Sequence, residues 1–238
     1  MLKMVRCLWL LLLCPLVVNA EAAKTENIIK PSAVVHNSAS FKEGTHYRVL
    51  DKPVPTQVTD GKIEVAEVFW YGCPHCYTLE SVVSAWKPTL REDTQFIRVP
   101  AFFGPNIWKT HAQLYYTLKN MGVLEKVHGA IFDEVQNKRN YLENPKEMAR
   151  FLSKRFGINK ATFEKNYNAI GVTHQLLRAS SAIRGYGLAG VPAIVIDGKY
   201  VVEPAMAGSL ENMTKVSDFL ISKVRAEKAK AAVPKVKS

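Results

Sequence analysis

The chain has 238 residues, of which 47% are hydrophobic and 22% charged, and its formal net charge is +11 at pH 7. This length and apolar content are enough for a sizeable core, and they exclude an intrinsically disordered chain. Much of the basic excess lies in residues 223–237, without a motif that reads bases. We therefore expect no nucleic acid partner.

The first twenty residues predict a cleavable secretory signal. Two basic residues precede an apolar run from Leu8 to Val18, and a small-residue cleavage site ends at Ala20. The run is too short to cross a membrane comfortably. Cleavage removes Cys7 and Cys14, so the exported chain keeps only one closely spaced pair of cysteines.

Residues 21–44 lack a clear hydrophobic period and predict an N-terminal extension or linker. A short strand is predicted over Tyr47–Leu50 and a stronger one over Ile63–Tyr71. Period-two alternation puts Val65, Glu67 and Phe69 on one face and Ala66, Val68 and Trp70 on the other, so both faces are mainly apolar, which is typical of a central strand covered on each side.

Two cysteines follow this strand directly, with Pro74 and His75 between them. A strand followed by C-x-x-C at the start of a helix is a redox arrangement, and the spacing lets the two sulfurs close a small ring. Pro74 suits the first helical position, which puts Cys73 at the N-cap, where the helix dipole favours a thiolate. We therefore expect Cys73 to be the nucleophile.

The helix that begins at Pro74 is predicted to end near Trp86. Cys76, Leu79 and Val83 fall with Trp86 on one apolar stripe at helical spacing. The stripe turns Cys76 toward the core, and Cys73 is expected to lie at the exposed end of the helix.

After this helix the sequence predicts a strand over Gln95–Ala101 and then five helices, over Asn106–Met121, Leu124–Asn137, Pro145–Phe156, Thr162–Ala169 and Thr173–Tyr186. Two strands follow, over Ala193–Ile196 and Lys199–Val202, joined by a turn at Asp197-Gly198. A closing helix is predicted over Ser209–Ala226. The long helical tract between strands indicates an insertion.

Two segments resemble the DsbA family of periplasmic thiol:disulfide oxidoreductases. They are Glu67–Tyr77, with the sequence EVFWYGCPHCY, and Gly190–Tyr200, with the sequence GVPAIVIDGKY. The resemblance implies an α/β thioredoxin fold with an inserted all-helical domain. The expected boundaries are a signal peptide over 1–20, an extension over 21–44, a thioredoxin-like domain over 45–104 and 180–226, an insertion over 105–179 and a basic disordered tail over 227–238.

The resemblance implies roles for residues around the cysteines. Cys73 and Cys76 form the redox-active disulfide, and Glu67 lies beneath Cys76 and assists its proton transfer. An exposed Glu67 at a sheet edge is the alternative. His75 is expected to stabilise the Cys73 thiolate by charge or hydrogen bonding, which makes the disulfide a stronger oxidant. Glu80 matches a family acidic position, but it also suits a solvated helix face.

The second segment contains the position of the family's cis-proline. Pro192 is therefore expected to follow a cis peptide bond beside the disulfide, and Val191 to present its backbone to an extended substrate. Trp70, Tyr71 and Phe102 are candidates for an apolar groove, although core packing explains each of them equally well.

Other sites containing a cysteine pair fit less well. An inert disulfide closing so small a loop contributes little stability, and a zinc site lacks a second cysteine pair. A c-type haem is excluded because Tyr77, not histidine, follows Cys76. We therefore expect no metal and no bound cofactor.

These observations favour a periplasmic dithiol oxidase that donates its disulfide to reduced, unfolded exported proteins through a mixed disulfide at Cys73. The resemblance implies that a DsbB-like, quinone-linked membrane oxidase restores the disulfide. One alternative is an isomerase or reductase of the same fold that dimerises through residues 21–44. Another is a chaperone-like peptide-binding module.

Overall fold

A computed structural model of the chain describes residues 41–59 and 61–232. The predicted signal, residues 21–40 of the predicted extension and residues 233–238 of the predicted tail lie outside the described residues. Over the described ranges, no helix combines the length and the hydropathy that a membrane span requires.

One mixed sheet is formed by the strands of the described chain. In chain order they are β1 Arg48–Val49, β2 Ile63–Phe69, β3 Thr94–Pro100, β4 Ala193–Ile196 and β5 Tyr200–Val202. Their spatial order is β1-β5-β4-β2-β3, with β2 and β3 parallel and the other pairs antiparallel. Strand β2 has a neighbour on each side and is buried along its whole length, as predicted.

Helices account for most of the remaining chain. They are α1 Pro74–Trp86, α2 Ile107–Asn120, α3 Leu124–Gln136, α4 Pro145–Phe156, α5 Lys160–Tyr167, α6 Ile170–Tyr186, α7 Pro204–Ala207 and α8 Leu210–Ala232. The predicted bounds of α1 and α4 are confirmed. Local signals fix both ends of α4, because the Asn144 side chain accepts a hydrogen bond from the Glu147 N–H at 3.1 Å and Gly157 adopts a left-handed conformation with φ 71°.

The sheet separates two hydrophobic clusters. Ile63 and Val65 of β2 pack with α1 and α8 on one face. Ala66 and Val68 belong to the other cluster, which includes α6 and helices α2 to α5 of the predicted insertion. The period-two alternation of β2 thus distributes its side chains between two cores.

The predicted tight turn between β4 and β5 is also present. Asp197 and Gly198 have φ values of 51° and 62°, which suit a two-residue hairpin turn. Gly198 is required here, because a Cβ at this position would overlap the backbone carbonyl of Val54.

Three predicted domain boundaries differ from the structure. The prediction of a disordered tail from residue 227 is wrong over 227–232, because α8 continues to Ala232 and its Glu227 pairs with Lys199 at 2.8 Å. Helix α6 runs unbroken through the predicted boundary between residues 179 and 180. The ring of Phe41, assigned to the extension, packs 5.7 Å from that of Phe219.

Candidate active site

The backbone at the start of α1 holds the two cysteines. Cys73 is the N-cap residue, in an extended conformation with φ −91° and ψ 117°, and Pro74 occupies the first helical turn. The Cys73 N–H donates to the Trp70 carbonyl at 3.0 Å, and its own carbonyl accepts from the Tyr77 N–H at 3.1 Å. Both thiols are free, so the structure represents the dithiol form.

The two sulfurs differ in burial, but less than the helical stripe predicts. Cys76 is fully buried, and Cys73 retains 8% of its accessible surface. The expectation of an exposed Cys73 is therefore wrong for the dithiol form. The loop before β4 packs against this residue, and the Val191 carbonyl lies 3.4 Å from the Cys73 sulfur.

The environment of Cys73 lowers its thiol pKa from 9.0 to about 6. The largest cause is a hydrogen bond from the Cys76 thiol, followed by the backbone N–H groups of Cys76 and His75. The positive charge of His75 makes a smaller contribution, and burial of Cys73 opposes all of these effects. Near neutral pH, the Cys73 sulfur is therefore mainly a thiolate.

Cys76 has the opposite character. Burial raises its pKa far above the ordinary thiol range, and the neighbouring Cys73 sulfur and the charge of Glu67 add to the increase. A thiolate at Cys76 is therefore costly, so any reaction that releases this sulfur requires a proton donor nearby.

Glu67 lies on β2 with no exposed surface. Its position on a central strand rules out the alternative of an edge-exposed carboxylate. The Arg98 Nε donates to its Oε2 at 3.0 Å, whereas its Oε1 has no hydrogen-bonding partner among the described residues. Burial raises the pKa of Glu67 to about 7, because it outweighs the attraction of Arg98. Near neutral pH, Glu67 can therefore give or take a proton.

Arg98 connects Glu67 to further ionisable groups. Its Nη2 donates to Glu80 Oε1 at 2.9 Å, and Glu80 Oε2 lies 3.3 Å from His128 Nε2. We call Glu67, Arg98, Glu80 and His128 the buried charge cluster. Glu80 is thus a member of this cluster, and the alternative of a solvated helix face is wrong.

Arg98 and His128 were not singled out from the sequence. Arg98 lies in β3 between the apolar residues Ile97 and Val99, and the parallel register of β2 and β3 sets it beside Glu67. An arginine in a buried strand close to a buried glutamate is a recognisable sign of an ion pair. His128 carries no such local sign, because α3 meets α1 only through the tertiary fold.

The second family segment lies beside the cysteines just before β4 begins. The Val191–Pro192 peptide bond is cis, as expected. Among the candidates for an apolar groove, Tyr71 is fully buried and does not reach the surface. Trp70 and Phe102 are half-buried, and the Trp70 ring stacks 4.1 Å from that of Trp108.

The described ranges contain no group of three or more histidine, cysteine, aspartate or glutamate side chains arranged to bind a metal ion.

Several known proteins with related sequences are named thiol:disulfide interchange proteins. A family model described as a DSBA-like thioredoxin domain matches residues 89–216, a range that begins after the two cysteines. The thiol:disulfide interchange protein DsbA of Pseudomonas aeruginosa is 41% identical over 186 residues, which cover 78% of this chain and 87% of that protein. DsbA of Azotobacter vinelandii is 45% identical over 188 residues, which cover 79% and 86% of the two chains.

Solved structures agree with the sequence comparisons. The crystal structure of Pseudomonas aeruginosa DsbA is 40% identical, with a TM-score of 0.76, and the match covers 81% of this chain and 98% of that one. DsbA from Xylella fastidiosa is 30% identical with a TM-score of 0.72 over 78% of this chain and 98% of that one. The chain therefore belongs to the DsbA family of thiol:disulfide oxidoreductases, which are protein dithiol oxidases.

Proposed function

We propose that this chain donates a Cys73–Cys76 disulfide to reduced, unfolded proteins newly exported to the periplasm. The observation that carries the proposal is the contrast between the two sulfurs: the pKa of Cys73 is lowered to about 6, and that of buried Cys76 is raised. Stabilising the Cys73 thiolate stabilises the reduced protein and makes its disulfide a stronger oxidant.

The reaction proceeds in two exchanges. A substrate thiolate attacks the Cys73 sulfur, the bond to Cys76 breaks, and a mixed disulfide forms at Cys73. A second substrate thiolate then attacks the substrate sulfur of this mixed disulfide, and Cys73 leaves as a thiolate. The substrate loses two electrons and gains a disulfide, and the protein is left with two reduced cysteines. The low pKa of Cys73 makes it a good leaving group.

Neighbouring residues assist these exchanges. Glu67 gives its proton to the Cys76 thiolate as that sulfur leaves, and takes it back when the disulfide re-forms. Pro74 and His75 hold and polarise the Cys73 thiolate. Val191 and Pro192 bind an extended substrate segment, supported by the position of the Val191 carbonyl 3.4 Å from the Cys73 sulfur.

Cellular context and domain organisation complete the proposal. The predicted signal over residues 1–20 delivers the chain to the periplasm, and a DsbB-like, quinone-linked membrane oxidase accepts its two electrons, as family membership suggests. The thioredoxin-like domain comprises residues 41–104 and 180–232, and residues 105–179 form its helical insertion, with α6 continuing from one into the other.

Two measurements test this function. Equilibration with glutathione buffers, followed by thiol trapping, should show a strongly oxidising pair, and the oxidised protein should form disulfides in a reduced, unfolded substrate. Cys73→Ala should abolish this oxidation. A variant with Cys76→Ala should accumulate a mixed disulfide with an oxidised substrate, because no thiol remains to resolve it. Oxidation by Cys73→Ala at the wild-type rate would instead support a peptide-binding module, and a strongly reducing pair in a dimer would support an isomerase.

A further inference from the structure

The buried charge cluster continues into helix α3, where His128 meets the end of β2. The Tyr71 hydroxyl lies 2.7 Å from His128 Nδ1, and His128 Nε2 lies 3.3 Å from Glu80 Oε2. Neither His128 Nε2 nor Glu80 Oε2 has a hydrogen-bonding partner among the described residues, so their approach is an ion-pair contact. Both nitrogens of this 3%-exposed ring therefore face protein groups.

These contacts select one form of the histidine. The negative charge of an ionised Glu80, 3.3 Å from Nε2, favours a hydrogen on that nitrogen, so in a neutral ring Nδ1 accepts from the Tyr71 hydroxyl. Burial raises the pKa of Tyr71 well above its ordinary value, so the hydroxyl keeps its proton. A doubly protonated ring would turn an N–H toward the Tyr71 O–H and leave that buried hydroxyl without an acceptor.

The charges of the cluster leave room for one proton. Glu67 and Glu80 carry two negative charges when ionised, and Arg98 supplies one positive charge. Exposed Glu125 lies 3.7 Å from Arg98 but is paired with Lys87 at 3.3 Å, so one added proton makes the group neutral. Glu80 accepts hydrogen bonds from Arg98 at 2.9 Å and from the Ser84 hydroxyl at 3.1 Å, and both favour its ionised form and lower its pKa despite burial. Glu67 has an oxygen without a partner and a pKa raised to about 7. The proton therefore belongs on Glu67 while His128 stays neutral.

The other groups around His128 do not reverse this balance. The ring of Tyr115 from α2 lies 6.2 Å away and is uncharged, because burial raises its pKa. Arg98 from β3 disfavours a second positive charge, whereas Glu80 from α1 and Glu125 from α3 favour one. Burial is the largest influence on His128, and it lowers the pKa of the ring.

We propose that Tyr71 and His128 are positioning residues that confine the exchangeable proton of the buried charge cluster to Glu67, where Cys76 gives and takes it. The inference rests on the function proposed above for Glu67. In that reaction the disulfide bond breaks, Cys76 leaves as a thiolate and takes the proton of Glu67, and Glu67 becomes a carboxylate. A proton held on His128 instead would be too remote for this transfer, since Glu80 and Arg98 lie between.

The test compares wild-type protein with Tyr71→Phe and His128→Gln. Tyr71→Phe removes the donor to Nδ1 and frees that nitrogen to bind a proton. Glutamine at position 128 serves as the matched control, because its amide can donate to Glu80 and accept from Tyr71 but cannot titrate. Carbon NMR of the Glu67 carboxyl and nitrogen NMR of the His128 ring, both in the reduced protein, follow the proton directly.

In wild-type protein we expect His128 to be unprotonated at Nδ1 at neutral pH while Glu67 titrates near pH 7. With Tyr71→Phe, the neutral ring loses its hydrogen bond, so the pKa of His128 should rise and the Glu67 midpoint should fall by up to about one pH unit. The inflection in the rate at which dithiothreitol reduces the disulfide should move with it. His128→Gln should leave the Glu67 midpoint and that inflection in place.

Three results would overturn the inference: a proton on Nδ1 of wild-type His128 at neutral pH, an unmoved Glu67 midpoint in Tyr71→Phe, or equal shifts in both variants. The first result is measured on wild-type protein, so the inference can be contradicted even if a variant fails to fold. The NMR titrations involve no turnover. A protein that shows them but fails to oxidise a reduced substrate would contradict the proposed function and leave the proton placement standing.

Discussion

At the scale of single residues, the activity depends on unequal environments for two identical side chains. Cys73 lies at the helix N-cap with backbone N–H groups nearby, whereas Cys76, one helical turn later, faces the core with no exposed surface. The largest influence on the Cys73 pKa is the Cys76 thiol itself. The pair is therefore one chemical unit in which the second thiol stabilises the first thiolate.

This dependence predicts different effects for two substitutions of Cys76. Cys76→Ala removes the hydrogen-bond donor and should raise the pKa of Cys73 by more than about one unit. Cys76→Ser keeps an O–H donor and should raise it less. Ultraviolet absorbance of the thiolate across a pH titration measures both values. An alanine variant that still titrates near pH 6 would show that the backbone alone holds the thiolate.

The lowered pKa of Cys73 also predicts how the stability of the reduced protein depends on pH. The folded value is about 6 and the ordinary value 9.0. The stabilisation is complete above pH 9, decreases through the interval and is absent below pH 6, because an unfolded chain then binds no more protons at this sulfur than the folded one. The contribution of Cys73 to the unfolding free energy should fall by about 1.4 kcal/mol for each pH unit lost within that interval.

Denaturant unfolding of the reduced protein at several pH values measures this effect, with Cys73→Ser as the non-titrating control. The difference between the two proteins isolates the contribution of Cys73. A difference that does not change with pH across the interval would contradict the lowered pKa.

At the scale of elements, the site is the junction of β2 and α1. Strand β2 carries Glu67, the loop after it carries Tyr71, and α1 begins at the cysteines. Gly72 is needed in this loop because a Cβ there would overlap the Trp70 indole, which is stacked on Trp108. The loop conformation and the aromatic packing beside the nucleophile are therefore coupled.

We expect Gly72→Ala to displace the Trp70 ring and to lower the unfolding free energy by about 1–3 kcal/mol. Gly129→Ala is the matched control, because Gly129 lies on the exposed side of α3 with open space around its Cβ position. That change should raise stability by up to about 1 kcal/mol, since alanine favours a helix interior. Urea unfolding and near-ultraviolet circular dichroism measure both. Equal stability of the two variants would exclude the predicted overlap.

At the scale of the whole molecule, distant segments complete the fold around the site. The end of α8 returns to the β4–β5 turn, where Glu227 accepts from the Tyr200 hydroxyl at 2.7 Å and Lys228 pairs with Asp197 at 3.0 Å. The segment from 227 to 232 therefore belongs to the folded domain.

Truncation tests this role. A chain ending at residue 226 should unfold with about 1 kcal/mol less free energy than one ending at residue 232, because Tyr200 and Lys199 lose Glu227. The longer truncation product is the control, since it keeps all of α8. Denaturant unfolding under identical conditions compares the two chains. Equal unfolding free energies would mean that the contacts of Glu227 and Lys228 contribute nothing measurable.

Local signals in the sequence predicted much of the fold. Proline at the first turn, asparagine caps and glycine ends predicted the bounds of α1 and α4, and alternation predicted the buried strand that carries Glu67. The signals failed where side chains make distant contacts. Alternating lysine and alanine near the C-terminus suggested a solvated tail, because nothing in that stretch reveals the β4–β5 turn beside it.

The sequence by itself determined the chemistry of this protein: two thiols at a helix start, unequal because one caps the helix and the other is turned toward the core by helical periodicity. Only the tertiary structure decided what surrounds them. The Val191 carbonyl reaches Cys73 from a loop far along the chain, and Arg98 and His128 join Glu67 through a neighbouring strand and a helix of the insertion. Short-range steric and capping effects depend on adjacent residues. The packing of elements distant in sequence determines which charged groups become buried partners.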